Sequence, residues 1–169
     1  MALELSECLQ KLNQLKHLSL DFWVACNLSN DNFIQIINAI GSISYLQSLS
    51  LLFLKTQLSE ASYDEMSLIM SSLKGLKSLK LHFTSLKLLN VTILTGIISA
   101  LGRLEDLEIF EFFQTVEEQE LSETHYQRLR VILKSLPFLK YFKFMRSSRL
   151  EISPNFFFLK DEFKDRIYF

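Results

Sequence analysis

The chain has 169 residues, 49% of them hydrophobic and 22% charged, enough for one domain with a real core and too apolar for general disorder. Its net charge of -1 lacks the basic excess of a general nucleic-acid binder. No stretch approaches the run of about 20 apolar residues that a membrane helix requires. Two cysteines, Cys8 and Cys26, are too few for a disulfide scaffold and are expected as small buried thiols.

The first segment, "ALELSECLQKL", reads as a helix that completes the first unit as an N-terminal cap. Glu4 and Glu7 are unlike the basic start of a secretory signal. "LKHLSLDF" (Leu15 to Phe22) reads as a strand. Ser29, Asn30 or Asp31 is suited to cap a helix that carries Phe33, Ile36, Ile37 and Ile40 at helical spacing. "LQSLSLLF" (Leu46 to Phe53) is again a strand. The helix after it carries Met66, Ile69, Met70 and Leu73, with Ser62 or Asp64 as its cap. "LKSLKLHF" (Leu76 to Phe83) is a third strand, and "ILTGIISAL" the next helix. A fourth strand is read from Leu104, Leu107 and Ile109, with a register shift expected near "FEFF". The acidic "TVEEQELSE" reads as a solvated loop. Ser122 is placed to cap the helix "YQRLRVILKSL", and Leu139, Phe142 and Phe144 mark the fifth strand. Pro154 then interrupts a tail rich in Phe, which either caps the last strand or docks on another subunit.

The strands share the phrase L-x-x-L-x-L, with starts separated by 31, 30, 28 and 35 residues. An apolar residue stands three places before each start: Leu12, Ile43, Leu73, Leu101 and Leu136. In L-x-L both leucines point to one side of the strand, and a single unit cannot bury that side alone. Stacked units solve this with a parallel sheet and helical crossovers. The expected fold is therefore an α/β solenoid, with about five parallel strands on the concave face and helices on the convex face. Residues 1–14 would form the N-terminal cap, 15–145 the repeats, and 146–169 the C-terminal cap or docking tail.

From about Leu12 to Phe144 the series resembles the leucine-rich-repeat proteins of the helix-containing, ribonuclease-inhibitor-like type. Its phrases are similar to the degenerate repeats of ciliate and other protist proteins. The sequence departs from the family three places after the last strand leucine, where asparagine or cysteine is usual. Trp23, Leu54, Thr84, Phe112 and Ser147 stand there under this register, and Phe22, Phe53 and Phe83 extend the inward set. The resemblance implies a protein-binding role.

The chemistry-bearing residues are dispersed. Four glycines form no phosphate-binding loop, and His17, His82 and His125 form no metal or catalytic group by spacing. No catalytic, metal or cofactor residue is assigned. Lys80, Glu108 and Lys143 read as one column of a charge ladder on the concave face. The same register turns Trp23, Leu52, Leu54, His82, Phe110, Phe112 and Met145 outward. So many large apolar groups exposed together suit a protein partner. The reading is a non-catalytic interaction module, a scaffold or subunit of an intracellular assembly that binds through the concave face, the tail or both. The alternative is a regulator of an enzyme such as a GTPase, for which Arg103, Arg128, Arg130, Arg146 and Arg149 offer no good loop arginine. Cytoplasm is the default location, with a cilium, cytoskeletal or organelle assembly also compatible.

Overall fold

The computed structural model describes residues 2–22, 28–54, 58–84, 91–115 and 123–147. Among the described residues helices and strands alternate: α1 (Ala2–Lys11), β1 (His17–Asp21), α2 (Asn30–Gly41), β2 (Ser48–Leu54), α3 (Glu60–Ser72), β3 (Ser78–Thr84), α4 (Val91–Leu101), β4 (Ile109–Thr115), α5 (Glu123–Ser135) and β5 (Tyr141–Ser147). The strands form one parallel sheet in the order β1-β2-β3-β4-β5. This is a leucine-rich-repeat solenoid of the α/β class.

Each unit turns from helix to strand in the same way. Two successive i→i+3 backbone bonds lead out of each helix. The second of them is donated by Leu15, Leu46, Leu76, Leu107 and Leu139, to Leu12, Ile43, Leu73, Leu104 and Leu136. The carbonyls of Lys16, Gln47, Lys77 and Glu108 then each accept two N–H groups from the following unit. These bonds lock one repeat to the next before the strands begin.

The bonds also correct the fourth unit. Its phrase is Leu107-x-x-Phe110-x-Phe112, three residues later than Leu104-x-x-Leu107-x-Ile109. In register, Phe110 stands beside Leu79 and Phe142, and Phe112 beside Leu81 and Phe144. The starts are now separated by 31, 30, 31 and 32 residues. Glu111 takes the place in the charge column expected for Glu108, and it faces Lys80 and Lys143. Asp106 and Glu108 precede the strand.

The core lies between sheet and helices. Leu49, Leu51, Leu79, Leu81, Phe110 and Phe112 are at most 1% exposed. From the helices they meet Phe33, Ile36, Tyr63, Met66, Leu94, Ile97, Tyr126 and Leu129, all buried at equivalent positions of their units. Two residues beyond the last leucine of the phrase, Phe22, Phe53 and Phe83 stack with centroids 5.2 and 5.0 Å apart and planes 2° and 8° apart. In the fourth unit Gln114 stands in that column, buried, and the neighbouring ring to Phe83 is Phe112, tilted by 48° at 5.7 Å.

The helices are placed by small residues and caps. Ser29 and Ser59 accept the N–H groups of Asn32 and Ser62 at the starts of α2 and α3. The second cap is Ser59 and not the expected Ser62 or Asp64. The Asn30 side chain bridges units, its Oδ1 accepting from the Ser59 N–H at 2.8 Å and the Ser62 hydroxyl at 2.9 Å. Gly41 lets α2 approach α3 closely, since a β-carbon there would sit 2.7 Å from Ile69 Cγ2. Cys8, expected to be buried, is exposed, because α1 turns Leu9 inward instead. Cys26, Trp23, Ser122, residues 116–122 of the acidic loop and the tail from residue 148 lie outside the described residues.

The corrected register yields a stability test. Phe110→Ala removes a ring from a closed core and should cost about 3–5 kcal/mol in urea unfolding. Gly41→Ala should also destabilise, because Ile69 must move, by about 1 kcal/mol after the gain in helix propensity.

Candidate protein-interaction face

The parallel register converts sequence positions into rows across the concave face. One row reads His17, Ser48, Ser78, Ile109, Tyr141; the next reads Ser19, Ser50, Lys80, Glu111, Lys143; the third reads Asp21, Leu52, His82, Phe113, Met145. Leu52, His82, Ile109, Phe113 and Tyr141 are half-buried. Of the residues expected to face a partner, Leu52 and His82 do lie on this face. Phe110 and Phe112 do not: both are core, because the fourth phrase starts at Leu107. Phe113 takes the concave place expected for Phe110. Met145 stands in register with Phe113, and Leu54 with Thr84. Trp23 lies outside the described residues.

Charge and ring contacts organise the middle of the face. Lys80 Nζ lies 2.7 Å from Glu111 Oε1. The His82 ring meets Phe113 edge-on at 5.9 Å. Burial lowers the His82 pKa from the usual value; Glu111 opposes this, while Lys80 and Lys143 reinforce it. At the entrance to the strands Glu108 accepts from Lys140 Nζ at 2.6 Å and lies 3.8 Å from Lys77 Nζ. The Lys140 hydrogen bond, then the charges of Lys140 and Lys77, hold the Glu108 carboxyl below its ordinary range. The signs thus alternate along two rows, and each pair binds neighbouring repeats.

The rest of the surface is less suited to chemistry. His17 and His82 sit two strands apart. Among the described residues no cluster of three His, Cys, Asp or Glu side chains could hold a metal ion. A groove of about 600 Å³ opens between α4 and α5, lined in part by Thr95, Ile98, His125, Arg128 and Ile132. It lies in the helix layer, across the sheet from the concave face. No helix among the described residues is long and apolar enough to cross a membrane.

Comparison with protein-family models finds no match, and comparison with the curated proteins finds none either. Solved structures do match. One is described as "Leiomodin-1 Actin-Binding Site 2"; it shares 13% identity at a TM-score of 0.63, over 96% of this chain and 87% of that one. Another is the tropomodulin C-terminal domain of Caenorhabditis elegans, with 11% identity at a TM-score of 0.66, over 97% of this chain and 92% of that one. The likeness is one of fold. At these identities it carries no residue of either neighbour onto this chain.

The position of His82 sets a pH dependence. Its folded pKa lies below the unfolded value of about 6.5, so the unfolded chain takes up a proton first as pH falls. The stabilising contribution is present above that value and is lost as pH drops through the window down to the folded pKa. Urea midpoints measured from pH 7.5 to 5 should fall more steeply for the wild type than for His82→Gln.

Proposed function

We propose that this chain is a non-catalytic protein-binding module that recognises its partner on the concave face, through Leu52, His82 and Phe113 with the Lys80–Glu111 pair beside them. The observation that carries this reading is the third concave row, where large side chains occupy surface positions without the closure given to the core. Aromatic and aliphatic groups ringed by charge are the usual make-up of an interface centre. Leu54 and Met145 extend the proposed site by register, and Trp23 by sequence. Phe110 and Phe112 leave it.

The solved neighbours support a protein-interaction role, one of them being described as an actin-binding site. This makes actin the first partner to try. A scaffold or subunit within an intracellular assembly, in the cytoplasm or at the cytoskeleton, is the setting that fits. A helix in every unit supports the ribonuclease-inhibitor-like type of repeat, while the likeness to protist repeats rests on the phrases alone. No observation favours the regulator of a GTPase: Arg103 and Arg128 line the groove in the helix layer, and Arg130 contacts Gln127.

Copelleting with actin filaments, and capture of monomeric actin on the immobilised chain, test the reading directly. Leu52→Ser and Phe113→Ser should each weaken capture by about tenfold or more, the scale of an interface hot spot. Their melting temperatures should stay within a few degrees of the wild type, as for surface changes. If actin is not retained, the same two variants are compared in co-purification with mass spectrometry. Binding that ignores both substitutions removes the concave face from the proposal.

A further inference from the structure

The concave face is not electrically even. The chain as a whole carries a net charge of -1. Along β3, β4 and β5, however, two rows each read lysine, glutamate, lysine. They are Lys77, Glu108, Lys140 at the strand entrance and Lys80, Glu111, Lys143 further in. In these rows four lysines stand against two glutamates. Over β1 and β2 the second row holds only Ser19 and Ser50. The positive excess therefore belongs to one end of the face, beside the half-buried Phe113.

The two rows are closed differently. Glu108 reaches both of its neighbours, Lys140 at 2.6 Å and Lys77 at 3.8 Å. Glu111 reaches Lys80 at 2.7 Å and forms no ion pair with Lys143, although the two stand side by side in register. Lys143 is thus a half-buried cation without a carboxylate partner among the described residues. Its charge is felt across the third row. Burial lowers the His82 pKa first, and the charges of Lys80 and Lys143 lower it further against Glu111. A concave surface with one sign in excess focuses its field and selects the opposite charge.

We propose that the partner segment seated on this face is acidic. One of its aspartate or glutamate side chains takes the place beside Lys143 that Glu111 leaves open, and an apolar side chain of the same segment rests on Phe113. This rests on the concave-face reading above and adds the chemistry of what binds there. Lys143 and Phe113 lie on adjacent strands, about 4.8 Å apart across the sheet and two residues, about 6.6 Å, along it. The carboxylate and the apolar group are therefore roughly 8 Å apart on the partner, a distance that alternate side chains of an extended segment span. A nucleic acid is the less suited polyanion. Glu108 and Glu111 sit between the lysines and repel a continuous run of phosphates, whereas Glu111, drawn toward Lys80, leaves Lys143 to a single carboxylate.

Backbone-amide NMR of the isotope-labelled full chain tests this. The probe is a capped peptide of four Ser-Glu-Leu repeats, and the controls carry Gln or Lys in place of Glu. The acidic peptide should shift the amides of Lys143 and Phe113 saturably, and should bind more weakly as salt is raised. Lys143→Gln should weaken it by about threefold and Lys143→Glu by about tenfold. Lys16→Glu makes the same change of net charge about 19 Å away across the sheet, beyond a Debye length of about 8 Å, and should leave binding within about twofold. Lys143→Gln adds no like charge beside Glu111, so it decides the matter should Lys143→Glu fail to fold. Equal binding of the Glu and Gln peptides overturns the inference, as do shifts confined to the helices or equal losses with Lys16→Glu and Lys143→Glu. A thymidine oligonucleotide bound more tightly than the acidic peptide overturns it too. The concave-face reading is decided separately, by Leu52→Ser and Phe113→Ser in the capture experiment, and survives a failure here if those variants still weaken capture.

Discussion

Everything in this molecule depends on the in-register parallel stacking of strands about 4.8 Å apart. At that spacing identical positions of neighbouring repeats touch, so a column of leucines closes on itself without any long-range fitting. The paired bonds to the carbonyls of Lys16, Gln47, Lys77 and Glu108 fix that register at the entrance to the strands. Helices are wider than strands, which leaves them on the outside of the bend. The caps at Ser29 and Ser59, the Asn30 bridge and the bare α-carbon of Gly41 adjust how closely those helices approach.

The same stacking separates stability from recognition. Inward columns repeat nearly the same residue, because each must fill the same space. Outward rows carry a different residue in almost every unit, and only charge alternation, as in Lys77–Glu108–Lys140, ties them together. A partner on the concave face would therefore read four different letters in the first row, three in the second and five in the third.

Much of the fold was legible from the spacing of leucines alone, and the fourth unit shows why the rest was not. Leu101, Leu104 and Leu107 are themselves three residues apart, so the phrase can be started at Leu104 or at Leu107 with equal apolar content. Helix exit and strand entry share that period, and the evenness of the intervals separates the two frames. Accepting aromatics at the strand positions, as the fifth unit requires for Phe142, also favours Leu107. The choice of frame moves Phe110 and Phe112 between core and surface, because a shift by an odd number of residues exchanges the faces of a strand. Leu52 and His82 were legible as concave because their strands have no competing frame. Phe113 was hidden for the same reason that Phe110 stood out. The exposure of Cys8 was not legible because burial by residue type ignores which side of a helix a position occupies.

Gln114 ends the column of stacked rings begun by Phe22, Phe53 and Phe83, and Phe112 supplies a ring where the first three units have leucine. Volume absent at one position is thus supplied two residues away on the same side of the strand. Phe112→Leu alone would leave a gap, and Gln114→Phe alone would crowd it, while the two together would recover the arrangement of the earlier repeats. The two sites are bound in their evolutionary drift: neither can return to the pattern of its neighbours without passing through a worse-packed intermediate unless the other changes with it.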